Sequence, residues 1–155
     1  INSSIKNNKG KIFTFIVLLI LIAAFVFIMK EINKKKNDLI SEKYIQASSY
    51  LNNGNKELSK KIYKEIIESK NSFYSTLALN TIIEKNLEFS EKEVLEYFEI
   101  VEPLNKQEEQ KNILIFKKAL YLIKIKKDTE GKNLLKKLVE KNTKLKSVAE
   151  EILKN

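Results

Sequence analysis

The chain has 155 residues and a formal net charge of +9, and it contains no His and no Cys. These absences exclude disulfide frameworks, thiolate nucleophiles, Ser–His catalysis and mixed Cys/His zinc sites. Every basic residue is Lys, so the bidentate guanidinium fork that recognises phosphates and base edges is also missing. We therefore expect no enzyme, no cofactor, no small-molecule substrate and no nucleic-acid partner.

The charge is divided unevenly along the chain. Residues 1–38, 39–83, 84–110 and 111–155 carry net charges of +5, +2, −6 and +8. An acidic middle between two basic ends differs from the uniform positive surface that is typical of nucleic-acid-binding proteins.

An apolar run occupies residues 12–29 and reads IFTFIVLLILIAAFVFIM. Its eighteen residues carry no charge. As a helix they would extend about 27 Å, close to the roughly 30 Å hydrocarbon core of a bilayer. We interpret residues 1–11 as a polar basic tail, 12–29 as a transmembrane helix and 30–37 as a polar connector. A core helix buried inside a larger protein is the alternative.

A cleaved signal peptide is a second alternative, because Lys6, Lys9 and Lys11 form a basic segment before the run. The run is longer than the usual apolar region of about 7 to 15 residues, and no small cleavage-site residues follow it. An uncleaved signal anchor is therefore favoured. Lysines flank both sides of the run, so the charge count alone leaves the orientation open.

Residues 38–155 predict an all-α domain. Apolar residues recur there at helical spacing in seven segments, and no sustained strand alternation interrupts them. The segments are 40–51, 58–66, 73–82, 94–101, 105–126, 128–139 and 145–152. The fourth begins with a predicted capping box, in which Ser90 and Glu93 exchange hydrogen bonds, and Pro103 ends it.

The predicted helices repeat in pairs. An alanine lies on the apolar face of each first helix, at Ala47, Ala78 and Ala119. Twelve residues later comes a small residue, and sixteen residues later a bulky one. These positions are Ser59 and Tyr63, Ser90 and Val94, and Gly131 and Leu135. Antiparallel helices approach closely where small side chains meet, so we expect the helices of each pair to cross there. An irregular bundle without a repeat is the alternative.

Residues 41–94 carry a further pattern. It comprises Ala47 and Tyr50 before Gly54, the sequence Lys-Asn-Ser-Phe-Tyr at 70–74, and Leu-Ala-Leu at 77–79. Following a single apolar span, this pattern resembles the tetratricopeptide-like ancillary subunits of the bacterial Sec (SecYEG) translocon. The resemblance implies a solenoid of about three helix pairs plus a terminal helix over residues 38–155.

The resemblance also implies a function. The chain would be a single-pass protein of the bacterial inner membrane, anchored by residues 12–29, with its helical domain in the periplasm. Its partners would be translocon subunits, periplasmic chaperones or secreted chains, and its role that of an adaptor or chaperone-like factor. A structural scaffold for a division or wall-synthesis complex is the alternative function.

Four aromatic residues are candidates for a partner groove, namely Tyr44, Tyr50, Phe73 and Tyr74. Aromatic residues at helical spacing are more often core residues, which is the alternative interpretation of the same four.

Two charged patterns suggest other chemistry. Glu93, Glu96, Glu99 and Glu102 recur every three residues and could in principle hold a divalent cation. The row drifts by about 60° per step around a helix, so we interpret it as a solvated face and expect no metal site. Lysines in the last helices could attract anionic lipid or an acidic partner, but an ordinary solvated surface is the simpler interpretation.

Overall fold

The computed structural model describes residues 9–154, apart from the side chains of Lys9 and Ile12. These residues form seven α-helices and one 3-10 turn, and none of them forms a strand. The helices are α1 Lys9–Asn52, α2 Lys56–Glu68, α3 Ser72–Glu84, α4 Glu91–Val101, α5 Glu108–Lys124, α6 Asp128–Glu140 and α7 Lys146–Lys154. The prediction of an all-α fold with helical hairpins is confirmed. Residues 1–8 of the predicted polar tail lie outside the described residues.

Helix α1 belongs to two compact units, which divide between Leu39 and Ile40. The described side chains of the first unit are all exposed. Over Phe13–Asn52 the helix is long and apolar enough, by length and composition, to cross a membrane. The predicted connector, residues 30–37, is helical within α1. It contains no Gly or Pro to stop the helix, so α1 is continuous through these residues.

Five helix ends are closed by a residue in the left-handed conformation. These residues are Gly54, Lys70, Asn86, Lys126 and Asn142, with φ between +49° and +79°. After four of them the next amide donates to a carbonyl five residues earlier, as from Leu87 to Ile82 at 3.0 Å. This hydrogen bond satisfies one of the last carbonyls of the helix. The chain can therefore reverse direction through short connections.

Residues 40–154 enclose two apolar cores. The larger core contains residues of α1, α2, α3 and α4 together with Leu114 from α5. Its fully buried large side chains are Tyr63, Ile66, Ile67, Leu79, Ile82, Phe98 and Val101. The smaller core is formed by α5, α6 and α7 around Ala119, Leu135 and Ala149.

The helices of the third pair, α5 and α6, cross closely at Gly131. A Cβ atom on Gly131 would lie 2.7 Å from the carbonyl oxygen of Ala119 and 2.7 Å from Cγ1 of Ile123. No side chain fits in this space, so only glycine allows the two backbones to approach to this distance.

The second pair departs from the predicted spacing. Ser59 and Gly131 are the fourth residues of α2 and α6, and both are buried. The fourth residue of α4 is the buried Val94, whereas Ser90 is exposed and caps the helix. Six residues connect α3 to α4, but three connect α1 to α2 and three connect α5 to α6. The longer connection delays the start of α4, so Ser90 does not reach the helix crossing.

The three pairs correspond when residues are counted from the first residue of the second helix, which is α2, α4 or α6. In the second pair, Val94 is the fourth residue of α4 and so corresponds to Ser59 and Gly131. The bulky position, which the spacing from Ala78 predicts at Val94, is taken by Phe98. The eighth residues of α2, α4 and α6 are Tyr63, Phe98 and Leu135, and all are fully buried. The packing positions therefore repeat when they are counted from the start of each second helix. The number of residues from the alanine to these positions differs between the pairs.

Candidate protein-docking groove

Helix α3 carries no charged side chain from Ser72 to Ile83, although 32% of the chain is charged. The helix begins where the Asn71 side chain accepts a hydrogen bond from the amide of Tyr74 at 3.0 Å. One face of α3 packs into the larger core. Phe73 remains 67% exposed on α3, so the helix offers an apolar side chain to solvent.

A groove of about 350 Å³ runs between α3 and α5, and we call it the α3–α5 groove. Its apolar lining residues are Phe73, Leu77, Ile113 and Leu114. Its uncharged polar lining residues are Ser72, Thr76, Asn80, Asn105 and Gln110. Lys117 completes the lining.

Hydrogen bonds within the protein position the polar walls of this groove. Asn105 is buried, and its side-chain amide donates to Oγ1 of Thr76 at 3.2 Å and to a carbonyl of α4. Lys117 Nζ donates to Oδ1 of Asn80 at 2.9 Å and to Glu84 at 3.3 Å. Asn105 thus ties the segment before α5 to α3 and α4, and Lys117 ties α5 to α3, with its charge compensated by Glu84.

A smaller cavity of about 160 Å³ adjoins the groove, because Ile113 lines both. Its other lining residues are Glu109, Asn112, Thr143, Lys144 and Leu145. Glu109 and Lys144 form an ion pair at 2.8 Å. The two cavities together follow α5 towards the turn that precedes α7.

The structure distributes the four aromatic candidates between groove and core. Phe73 lines the α3–α5 groove. Tyr44 and Tyr74 are half-buried and pack against the larger core, and the Tyr44 hydroxyl shares a 2.9 Å hydrogen bond with Thr81. Tyr50 is half-buried and does not line the groove. The groove thus lies on α3 and α5.

Sequence reasoning did not single out the neutral polar residues of the two cavities. Asn80, Asn105 and Asn112 are three of the many asparagines in the chain, and nothing in their spacing distinguishes them. The usable signal is the uncharged stretch of α3, because a solvent-facing helix in a charged protein normally carries charged side chains.

The acidic side chains of α4 serve in capping and in ion pairs. Ser90 donates from its amide and its hydroxyl to Glu93 Oε2, at 3.0 and 2.7 Å, which confirms the predicted capping box. The hydroxyl hydrogen bond lowers the pKa of Glu93. Glu99 pairs with Lys118 of α5. Within residues 9–154, no group of three or more acidic side chains is placed to hold a metal ion.

The fold defines a class of chain, in which an apolar helix long enough to cross a membrane precedes an all-α domain of helical hairpins. Comparisons with protein-family models, with curated proteins and with solved structures find no match to this chain. Its resemblance to translocon subunits therefore stays a prediction from the sequence.

Proposed function

We propose that the chain is a membrane-anchored protein-interaction module that docks a polypeptide in the α3–α5 groove. The observation that carries this proposal is the exposure of apolar side chains within a groove of neutral hydrogen-bonding groups. Phe73 is 67% exposed and Ile113 is 44% exposed. A partner that covers them gains roughly 25 cal/mol for each Å² of apolar surface removed from water.

The polar lining favours a polypeptide partner. The side chains of Asn, Gln, Ser and Thr offer both donors and acceptors without a net charge. A peptide backbone presents one acceptor and, except at Pro, one donor per residue. An apolar groove with a few convergent neutral polar groups therefore suits an extended chain.

The specific role that we propose is that of a translocon-associated adaptor or chaperone-like factor in the bacterial inner membrane, with its helical domain in the periplasm. The order of anchor and hairpin domain supports this role, together with the resemblance carried by residues 41–94. A secreted chain leaving a translocon is unfolded, so it exposes apolar side chains and unpaired backbone groups at the same time. The α3–α5 groove offers contacts to both.

Photo-crosslinking from the groove tests this function. Benzoylphenylalanine in place of Phe73, in the full chain in its own membranes, should capture translocon subunits and secreted chains. The same probe at Lys136, which is exposed on α6 and does not line the groove, is the matched control and should capture neither. Recovery of only division or wall-synthesis proteins from position 73 would refute the translocon role. Equal capture from both positions would refute docking in the groove.

A further inference from the structure

Four exposed lysines follow the apolar run on the same continuous helix, α1. They are Lys30, Lys34, Lys35 and Lys36. Among residues 9–154 the ion pairs lie in the hairpin domain, and these four lysines take part in none of them. Glu31 is the only acidic residue within 30–37, so this stretch carries a net charge of +3. Its positive charge is therefore open to whatever surrounds the helix.

The four lysines are spread around the helix axis. Because successive residues of an α-helix are turned by about 100°, the other three lie at about 40°, 140° and 240° from Lys30. The widest gap between neighbouring lysines is about 120°. No broad face of this helix segment is without a lysine, and we call the four residues the lysine ring.

This arrangement fits a surrounding that contacts the helix from all directions. A folded partner covers one face of a helix, so a site for it would concentrate the charge on that face. The lipids of a bilayer contact a membrane-crossing helix on every side. Anionic headgroups attract lysines that lie close to the membrane surface. The ring therefore favours lipid over a protein partner.

The distance along α1 brings the ring to the headgroup layer. Lys30 follows Met29, the last residue of the apolar run, and Lys36 lies about 10 Å beyond Met29 at 1.5 Å per residue. The headgroup layer extends about 5 to 8 Å beyond each side of the hydrocarbon core. A lysine side chain can lay its methylene groups along apolar surface while its ammonium group stays in the polar layer. All four ammonium groups can thus reach headgroup phosphates.

We propose that the lysine ring binds the headgroups of anionic phospholipids and gathers these lipids around the C-terminal end of the membrane-crossing run. This inference rests on the membrane-crossing part of the proposed function and does not depend on the α3–α5 groove. The ring gives the chain a preference among lipids in addition to its docking of polypeptides.

Lipid selection by the full chain in phosphatidylcholine vesicles tests the proposal. Electron spin resonance with trace spin-labelled phosphatidylglycerol or phosphatidylcholine measures how much of each lipid is immobilised against the protein. We expect phosphatidylglycerol to be preferred roughly three- to fivefold at low salt, because one lysine at an anionic surface contributes about a factor of five. Changing all four ring lysines to Gln removes their charge at little cost in helix propensity and should lower this preference by about half or more.

The matched control removes the same charge from the hairpin domain. It combines four substitutions at exposed positions, namely Lys61→Gln, Lys64→Gln, Lys136→Gln and Lys137→Gln. The control should keep the preference of the original chain. An equal loss in both variants would contradict the proposal, because net charge alone would then account for the preference.

Two half-ring variants test the arrangement around the helix. One combines Lys30→Gln with Lys34→Gln, and the other combines Lys35→Gln with Lys36→Gln. Each should lose a similar part of the preference. A loss confined to one of the two variants would show a one-sided contact and would overturn the ring.

The same spectra separate this inference from the proposed function. If no lipid is immobilised, the chain does not cross the bilayer and both proposals fail. If lipid is immobilised without a preference for phosphatidylglycerol, the lysine ring is refuted while the membrane anchor stands. Docking in the α3–α5 groove is decided separately by the crosslinks from position 73.

Discussion

Gly131 sets the distance between α5 and α6. Glycine inside a helix costs about 1 kcal/mol relative to alanine, because it adds freedom to the unfolded chain. Here the missing side chain lets the carbonyl of Ala119 come within 2.7 Å of where a Cβ atom would stand. The closer approach helps Ala119 and Leu135 to pack in the smaller core. The local cost of glycine is thus offset by contacts between helices.

Gly131→Val is expected to lower the free energy of unfolding by about 2 to 3 kcal/mol, because its side chain must displace backbone atoms of α5. Asn133→Val places the same β-branched residue on an exposed position of α6 and should cost only a few tenths of a kcal/mol. Urea denaturation followed by circular dichroism measures both. Equal stability of the two variants would show that α5 and α6 do not cross at Gly131.

Glu93 makes the start of α4 sensitive to pH. Its hydrogen bonds from Ser90 lower the pKa below the ordinary value of 4.5. The contribution of Glu93 to stability is therefore present above about pH 4.5 and is lost as the pH falls through the lower folded-state pKa. Glu93→Gln keeps a side-chain oxygen that can accept from Ser90 but cannot titrate.

We expect Glu93→Gln to lose less stability than the original chain between pH 6 and pH 3. Urea denaturation at a series of pH values measures the slope. Glu91→Gln removes one charge from the same helix turn outside the capping box and is the matched control. If both variants follow the same pH dependence, the capping box does not control the titration of Glu93.

At the scale of helices, the hairpin domain is stabilised by two cores of unequal size. The larger one contains aromatic and branched side chains from four helices, whereas the smaller one is built around Ala119, Leu135 and Ala149, and Leu138 of α6 is also fully buried. Lys117 and Lys118 of α5 form ion pairs with Glu84 of α3 and Glu99 of α4, which supplement the apolar packing between these helices. The pairs Glu108–Lys141 and Glu109–Lys144 join α5 to the end of α6 and the turn before α7. Exposed pairs of this kind contribute roughly 0 to 1 kcal/mol each, so α6 and α7 depend mainly on apolar packing.

Leu135→Ala should loosen α6 and α7 while leaving the larger core in place. Removing this buried side chain costs about 2 to 5 kcal/mol, which exceeds what a small core can lose without local opening. Amide hydrogen exchange should accelerate over 128–154 and stay slow over 58–101. Lys136→Ala, exposed on the same helix, should change neither region. A uniform acceleration across both regions would mean that the two cores unfold as one unit.

The positions of the helices can be predicted from local sequence patterns. The packing between helices is harder to predict from the sequence. Apolar periodicity places all seven helical segments, and the Ser90 capping box is correct in detail, because both depend on neighbouring residues. The polar residues 30–37 end the apolar run but not the helix, because polarity alone does not stop one. The constant spacing from the alanine predicts Ser90 and Val94 as the packing positions of the second pair, whereas Val94 and Phe98 occupy them. The difference arises because the connection between α3 and α4 is longer than the other two.

The α3–α5 groove could be predicted from the sequence only in part. Its exposed member Phe73 could be named from the sequence, since an aromatic residue in an uncharged helix is noticeable. Its walls come from α3, α5 and the Asn105 segment between them, which are distant in sequence. Their meeting requires the tertiary packing of the larger core, and no local pattern encodes it.

At the scale of the whole molecule, the proposed function requires a membrane-crossing helix and a docking domain in one chain. The helix over Phe13–Asn52 is long and apolar enough to cross a membrane, and none of its most apolar window is buried. The hairpin domain begins at Ile40, within the same helix. An anchored domain meets chains emerging at the membrane surface at high effective concentration, so even a weak groove could capture them.

In the proposed function, residues 12–29 cross the inner membrane once and the hairpin domain lies on its periplasmic side. Because the chain has no Cys, one introduced cysteine reports one position. The measurement is labelling of intact bacterial cells, permeable only at the outer membrane, with a membrane-impermeant maleimide. Lys136→Cys should label in intact cells, and Ser3→Cys should label only after lysis. Labelling of both positions on the same side, or of Ser3→Cys alone in intact cells, would contradict this orientation.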